Sequence, residues 1–263
     1  MEYTFTPEEQ AWRDEVRGFL NAELGENFRA DEMWPGKDWS FEKDYIKKLA
    51  TKGWIAPAWP KEHGGLGLGV MKQTIFAEEM TYFGSPHGAL TWCGVSLVGP
   101  VLMVYGSDEQ KAEHLGGIAR GEVTWAQGFS EPNSGSDLAS LQCRATEDGD
   151  DYVVNGTKIW TTGGHLAQKM ILLCRTDPEA PKHKGISFFL VDDLHTPGIS
   201  IQPLIDAAGH HRINQEYFED VRIPKKNLVG ELNRGWYVAA ATLDFERSGI
   251  GWAARSKRQI DDL

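Results

Sequence analysis

The spacing of apolar residues changes its period twice along the chain. From Thr6 to about Gly121 they recur at the three-and-four spacing of a helix face. From about Glu122 to Gly230 they alternate with period two, and from Gly235 the helical spacing returns. The opening segment, TPEEQAWRDEVRGFL, places Thr6 as N-cap, Pro7 at the first helical position and Glu9 as the closing half of a capping box. Trp12, Val16, Phe19 and Leu20 then share one face. Further helices are predicted near 41–52, 71–83, 89–105 and 108–118, the last opened by a second capping box of Ser107 with Gln110. The 89–105 segment is apolar nearly all round, which predicts a buried helix broken or kinked near Pro100.

The alternating region reads as strands. Asn155-Gly156 in YVVNGTKIW is a hairpin-turn signal. VTWAQGF, KMILLCRT, GISFFLVDD, PGISIQPL and QEYFEDVRIP each suit a strand, so an antiparallel β-domain is predicted between helical regions. The fold class expected is α+β and multidomain: a helical domain over 1–121, a β-domain over 122–232, and a single helix opening a further helical domain over 233–263. The glycine run HGGLGLG, 63–69, fails the G-x-G-x-x-G test, because Gly65 and Gly67 are followed by Val70 and no strand precedes it. A structural turn is predicted there.

The 263 residues suffice for two modest domains, and 41% hydrophobic with 25% charged residues fits a globular protein with a sizeable core. The net charge of −11 speaks against nucleic acid, since no basic run is present to replace counterions. No apolar run suggests a membrane span and the acidic start MEYTFTPEEQ has no signal-peptide core, so a cytoplasmic location is expected. Cys93, Cys143 and Cys174 form no CxxC pair, which argues against a disulfide framework or a thiolate zinc site. No metal site is expected: His210 and His211 point opposite ways on a strand and lack a suitably spaced third ligand.

Two polar stretches stand out. In GFSEPNSGSDL, 128–138, Pro132 forces an extended entry and Gly135, Ser136 and Asp137 supply turn chemistry. A solvated turn and a ligand-holding loop both fit these residues. In NGTKIWTTGG, Trp160 stands beside Thr161 and Thr162 at a strand end, which suits either a flat, polar-edged ring system or a core tryptophan with ordinary turn threonines.

FSEPNSGSDLASL, VNGTKIWTTGGHLA, EYFEDVRIPKKNLVGELNRGW and LDFERSG stand in the order and spacing of the signature segments of the acyl-CoA dehydrogenase family, which the chain resembles over its whole length. The resemblance implies a helical domain, a middle β-domain and a C-terminal four-helix bundle, with FAD as cofactor and an acyl-CoA thioester as substrate. It implies that the Ser130 side chain and the backbone around Gln127 and Phe129 face the flavin pyrimidine. Trp160 would pack on the flavin face opposite the substrate, and Thr162, with Thr161 beside it, would hydrogen-bond at N5. Ser130 stands where threonine is frequent, and PNSG where a Gly-Ala-Gly type of turn is usual. Ser136 would contact the CoA arm, and Asp244 the pantetheine.

The reaction implied removes an α-proton as a β-hydride goes to flavin N5, and needs a carboxylate base. Most family members carry it near the end of the bundle, beyond this chain. A minority carry it on the first helix of the bundle, where this chain has Glu246. Glu246 falls on an apolar face with Ala239, Leu243 and Ile250, which would desolvate it and raise its basicity; a buried structural ion pair is the alternative. The neighbouring Arg247 points about 100° away on a helix and is a structural candidate. A base so placed hints at a branched or steroid-derived acyl group. PKHKG, 181–185, suits a contact to the CoA phosphate or a solvated turn, and the small residues of 88–99 suit either an acyl pocket or close helix packing.

Family members are longer, so the rest of the bundle is missing either because the chain is cut short or because a partner subunit supplies it. The expected partners are an electron-transfer flavoprotein and further copies or a second chain, as a homo- or hetero-tetramer. Two other readings remain open: an oxygen-using acyl-CoA oxidase, and a non-catalytic partner subunit of a hetero-oligomer.

Overall fold

The computed structural model describes residues 4–25, 28, 38–246 and 250–263, without the side chains of 244–246. They pack as two units, 1–89 with 247–263 and 90–246.

In the first unit, helix α1 (Pro7–Leu24) starts at the predicted capping box: Glu9 N–H donates to Thr6 Oγ1 at 3.3 Å and Thr6 N–H to the Glu9 carboxylate at 2.8 Å. Its buried residues Val16 and Leu20 face inward, and α1 packs on α3 (Val70–Tyr82). Trp54 is the centre of an aromatic cluster, with its ring 5.4 Å from Trp12, 5.1 Å from Phe19 and 5.6 Å from Phe76. Helix α2 spans Ser40–Thr51. The glycine run is the turn expected: Gly64 is left-handed, and Gly65 lies so close to Trp59 that a Cβ would stand 2.0 Å from the carbonyl oxygen.

The second unit opens with the apolar helix, in three pieces: α4 (Gly88–Cys93), whose first two residues belong to the first unit, a π turn over Gly94–Val98, and α5 (Gly99–Tyr105). The predicted break thus takes the form of a widened turn just before Pro100, which has no N–H to donate. Residues Gly88–Tyr105 are long and apolar enough to cross a membrane by length and composition, but Leu97, Val98, Val101 and Leu102 are buried within this unit. Gly94 is packed against Ile118 and Trp125, favouring the close-packing reading of this small-residue segment. Helix α6 (Asp108–Ala119) begins at the Ser107–Gln110 capping box.

Eight strands follow: β1 (Trp125–Gly128), β2 (Arg144–Asp148), β3 (Asp151–Thr162), β4 (Lys169–Arg175), β5 (Ile186–Val191), β6 (Ile199–Ile205), β7 (His211–Pro224) and β8 (Leu228–Val229). Their order is β6-β7-β3-β2-β4-β5-β8, with β1 alongside β4. Strands β4 and β5 are buried along nearly their whole length, as their unbroken apolar runs require. The sheet is not wholly antiparallel as expected: β1–β4 is parallel, and so is the single pair Arg144↔Arg175 between β2 and β4.

Asn155-Gly156 does not make the hairpin predicted. The β2–β3 hairpin turns at Gly149, with Asp148 paired to Asp151. Asn155-Gly156 lies opposite a bulge in β7, where Asp220 is the extra residue, in the left-handed region at φ 51°. Asn155 holds that bulge with two hydrogen bonds of 2.9 Å, from its Nδ2 to Asp220 Oδ1 and from Asp220 N–H to its Oδ1.

The segment after Gly235, expected as one helix, contains two: α7 (Gly235–Glu246) in the second unit and α8 (Gly251–Asp261), which packs on α3 in the first. The change of secondary structure near residue 122 is also not a packing boundary, because 90–119 pack with the sheet.

Gly156 presses on Cys143, where a Cβ would lie 2.6 Å from the Cys143 Cα. Gly156→Ala is expected to lower stability by about 2 kcal/mol. An unchanged urea midpoint would show that this contact does not constrain the strand.

Candidate functional site

The polar loop after β1 is exposed along much of its length but anchored from below. Its organising feature is a buried ion pair between Glu131 and Lys158, whose side chain is fully buried. Period two along β3 points Lys158 into the sheet. Its ammonium donates to Glu131 Oε1 at 2.8 Å and to the Phe129 carbonyl at 3.0 Å. Glu131 also accepts the N–H of Cys143 on Oε1 at 2.8 Å and that of Gln142 on Oε2 at 2.7 Å. Entry and exit of the loop are thus tied to one charge pair. Between them Glu131 and Ser134 exchange backbone hydrogen bonds, and the Ser134 hydroxyl donates to the Asp137 carbonyl at 2.9 Å. Arg175 holds the far side, donating to the carbonyls of Ala139 at 2.6 Å and Lys182 at 3.0 Å.

The loop and the end of β3 are adjacent. Ile159 N–H donates to the Ser130 carbonyl at 2.9 Å, beside the Lys158 contact to Phe129. Immediately afterwards β3 bulges. Ile159 pairs with Gln215 and Thr161 with Asn214, so Trp160 has no partner on β7. Trp160 has φ 66°, a left-handed backbone that costs a non-glycine residue about 1–2 kcal/mol. The result is a tryptophan 59% exposed, with Thr161 turned inward and buried, and Thr162 exposed.

Beneath this turn lies a buried acid. Glu216 is fully buried on β7 and accepts the Thr161 hydroxyl on Oε2 at 2.5 Å. Its Oε1 has no hydrogen-bond partner and abuts Gly164, where a Cβ would lie 2.5 Å from it. Burial pushes the Glu216 carboxyl up to about 7, against a smaller downward pull from the Thr161 hydroxyl. Asn214, also fully buried, donates to the Thr161 carbonyl at 3.0 Å and contacts His165 Nδ1 at 3.2 Å; its Oδ1 lies 2.7 Å from His211 Nε2. The two imidazoles stack 3.8 Å apart.

The residues singled out from sequence fall into groups. Ser130 is half-buried and Thr162 exposed, and neither hydroxyl has a partner among the described residues; the half-buried Gln127 side chain is likewise free. Phe129 is in the core, 5.8 Å from Phe188, so only its backbone faces the loop. Thr161 spends its hydroxyl on Glu216 and offers no side chain to the surface. Ser136 is exposed in the loop, without a side-chain partner among the described residues. The side chains of Asp244 and Glu246, and all of Arg247, lie outside the described residues. Glu131, Lys158, Asn214 and Glu216 were not anticipated. The only signal for Glu216 is its phase with Phe218 on one strand face.

Other polar clusters are saturated. Glu113, His114 and Asp192 approach as metal ligands would, but the Lys169 ammonium lies 3.2 Å from Asp192 and 3.4 Å from His114. Asn227 donates to the same carboxylate at 2.7 Å. The thiols of Cys143 and Cys174 are buried neighbours 3.9 Å apart, a proximity that their separation in sequence does not reveal. PKHKG forms a turn in which Lys184 N–H donates to the Pro181 carbonyl at 2.7 Å, and Lys182 pairs with Asp137. With Arg175 and Ser140, Lys182 lines a shallow cleft of about 210 Å³.

Models of the acyl-CoA dehydrogenase N-terminal and middle domains match residues 6–122 and 126–221. The acyl-CoA dehydrogenase FadE29 of Mycobacterium tuberculosis is 41% identical over 95% of this chain, which spans 63% of that relative's length. Among solved structures, the Tcur3481-Tcur3483 steroid ACAD superposes with a TM-score of 0.87 at 38% identity, covering 99% of this chain and 66% of its own. The ChsE4-ChsE5 complex from Mycobacterium tuberculosis does so with a TM-score of 0.80 at 36% identity, covering 93% and 61%.

Replacing Lys158 by Met strands a buried carboxylate, and a cost of about 3–5 kcal/mol is expected. A loss below about 1 kcal/mol by chemical denaturation would show that the pair does not anchor the loop. For Glu216 the sign is opposite to that of an ordinary carboxylate. Its folded-state value is raised, so its stabilising neutral form is fully present below the unfolded value near 4.5 and is lost as pH rises through about 7. The stability of the wild type relative to Glu216→Gln should therefore fall by about 3 kcal/mol from pH 4.5 to pH 8. Parallel pH profiles for the two proteins would refute the assignment.

Proposed function

The chain belongs to the acyl-CoA dehydrogenase family, and on that footing we propose that it provides the flavin-binding part of an enzyme that desaturates an acyl-CoA thioester between Cα and Cβ. The observation carrying this reading is Trp160, exposed on a strained left-handed bulge beside the unpartnered hydroxyls of Ser130 and Thr162. Strain and an exposed large aromatic both cost free energy, and both are accounted for if a flat aromatic ligand covers the indole. Free hydroxyls at its edge match the polar rim of an isoalloxazine. These residues fit FAD.

Trp160 would pack against the ring. Ser130, Gln127 and the backbone near Phe129 would hold its pyrimidine edge, and Thr162 would donate near N5, fixing donors where negative charge develops. When bound, FAD supplies the two-electron acceptor that takes the β-hydride at N5. Ser136 orients the CoA arm and Asp244 the pantetheine. Glu246 would take the α-proton on its carboxylate. Thr161 supports the site from behind, since its hydroxyl is committed to Glu216.

The substrate proposed is a thioester with a bulky acyl group, supported by the similarity to the steroid ACAD. Electrons leave to an electron-transfer flavoprotein. The assembly proposed is a tetramer with a second, related chain, supported by the similarity to the Tcur3481-Tcur3483 steroid ACAD and to the ChsE4-ChsE5 complex. In a non-catalytic partner subunit the same surfaces would serve assembly alone, and an oxidase would pass electrons to oxygen.

The test is a visible spectrum of the full assembly, reconstituted with FAD and titrated with acyl-CoAs of increasing bulk. A yellow protein that bleaches with its substrate is expected. Glu246→Gln should keep the colour and abolish the bleaching. A protein colourless with all its natural subunits present would favour the partner-subunit reading, and hydrogen peroxide release would favour the oxidase. Full bleaching by the Gln variant would remove Glu246 as the base.

A further inference from the structure

The bulge at Trp160 needs a cause. A strand that loses its partner for one residue closes up again unless something holds the next residue in place. Here the next residue, Thr161, is gripped twice. Its hydroxyl donates to Glu216 Oε2 at 2.5 Å, and its carbonyl accepts Asn214 Nδ2 at 3.0 Å. Both grips come from inward-facing, fully buried residues of β7. With Ile159 paired to Gln215 and Thr161 to Asn214, Trp160 is left over and takes the left-handed backbone. The same geometry puts Thr162 on the outer face.

Glu216 is a costly way to fill that position. Phe218, two residues on and on the same face, shows that this region accepts a large apolar side chain. A buried carboxyl with one oxygen unpartnered is a worse core residue than leucine unless its remaining hydrogen bond has a purpose. Among the described residues no cation neutralises it. Lys158 is its cross-strand partner in register, but that ammonium is committed to Glu131 and the Phe129 carbonyl. His165 and His211 both contact Asn214. Glu216 forms no ion pair among the described residues. On the other side Gly164 supplies no Cβ, which leaves room for the carboxyl.

We propose that Glu216 is the positioning residue of this site: it draws the Thr161 hydroxyl into the sheet and thereby turns Trp160 and Thr162 outward to receive the ligand. Its carboxylate does not touch that ligand; it acts through Thr161. What the turn is held for rests on the flavin reading above, whereas the hold itself does not.

The test separates the two. The full chain is labelled with 5-fluorotryptophan, and the Trp160 resonance is identified by its disappearance in Trp160→Phe. Glu216→Gln keeps an acceptor for Thr161 and should leave the Trp160 resonance in place. Glu216→Leu and Thr161→Val remove the contact from either end and should shift that resonance towards its unfolded value while the other tryptophans stay unmoved. In the same variants FAD affinity should fall about tenfold, the loss expected for one buried hydrogen bond, and Glu216→Gln should rescue it. An unmoved Trp160 resonance in Thr161→Val and Glu216→Leu would overturn the proposal, whatever FAD does. A shifted resonance in a protein whose wild type binds no FAD would uphold the positioning role and remove the flavin reading instead.

Discussion

The geometry of this site hangs on one ion pair taken out of water. Desolvating a carboxylate and an ammonium costs several kcal/mol each, and only close, saturated contacts offset it. Glu131 and Lys158 provide them: the acid accepts two successive backbone N–H groups as well as the ammonium, and the ammonium also takes a carbonyl. An irregular loop laid against a sheet cannot satisfy its backbone through a ladder. Here the two side chains substitute for the missing strand neighbour. Because Phe129 and Gln142 are tied to the same pair, the loop between them is fixed at both ends to the strand that carries Trp160.

What was legible in the sequence was local. The capping boxes at Thr6 and Ser107 involve residues three apart, and both form as read. Apolar runs gave the buried strands. What was not legible depends on contacts between residues far apart in sequence. Lys158 and Glu131 are 27 positions apart, and each reads as an ordinary surface charge until the strand turns them together. Thr161 and Glu216 are 55 apart, and a bulge that reverses the phase of a strand end defeats any argument from period two.

The Asn-Gly pair shows the same limit in another form. Its turn preference is real, but the β2–β3 hairpin closes at Gly149, six residues before Asn155, and Asn155 spends its amide on Asp220 of the neighbouring strand. A residue suited to left-handed backbone in one strand came to brace left-handed backbone in another. The break between α7 and α8 is a further case, since a continuous helical period carries no information about which unit each half joins.

The two irregularities of the β3–β7 ladder are of opposite kind. Asp220 is a surplus residue on β7 and Trp160 a surplus residue on β3, so beyond Trp160 the strands resume the alignment they had before Asp220. Each insertion undoes the slip that the other introduces. Deleting either one alone would leave every pair on the far side of it displaced by one position, with apolar and polar faces exchanged. The bulge that exposes the indole therefore depends on a second one, at Asp220, to keep the rest of the β3–β7 ladder in its alignment.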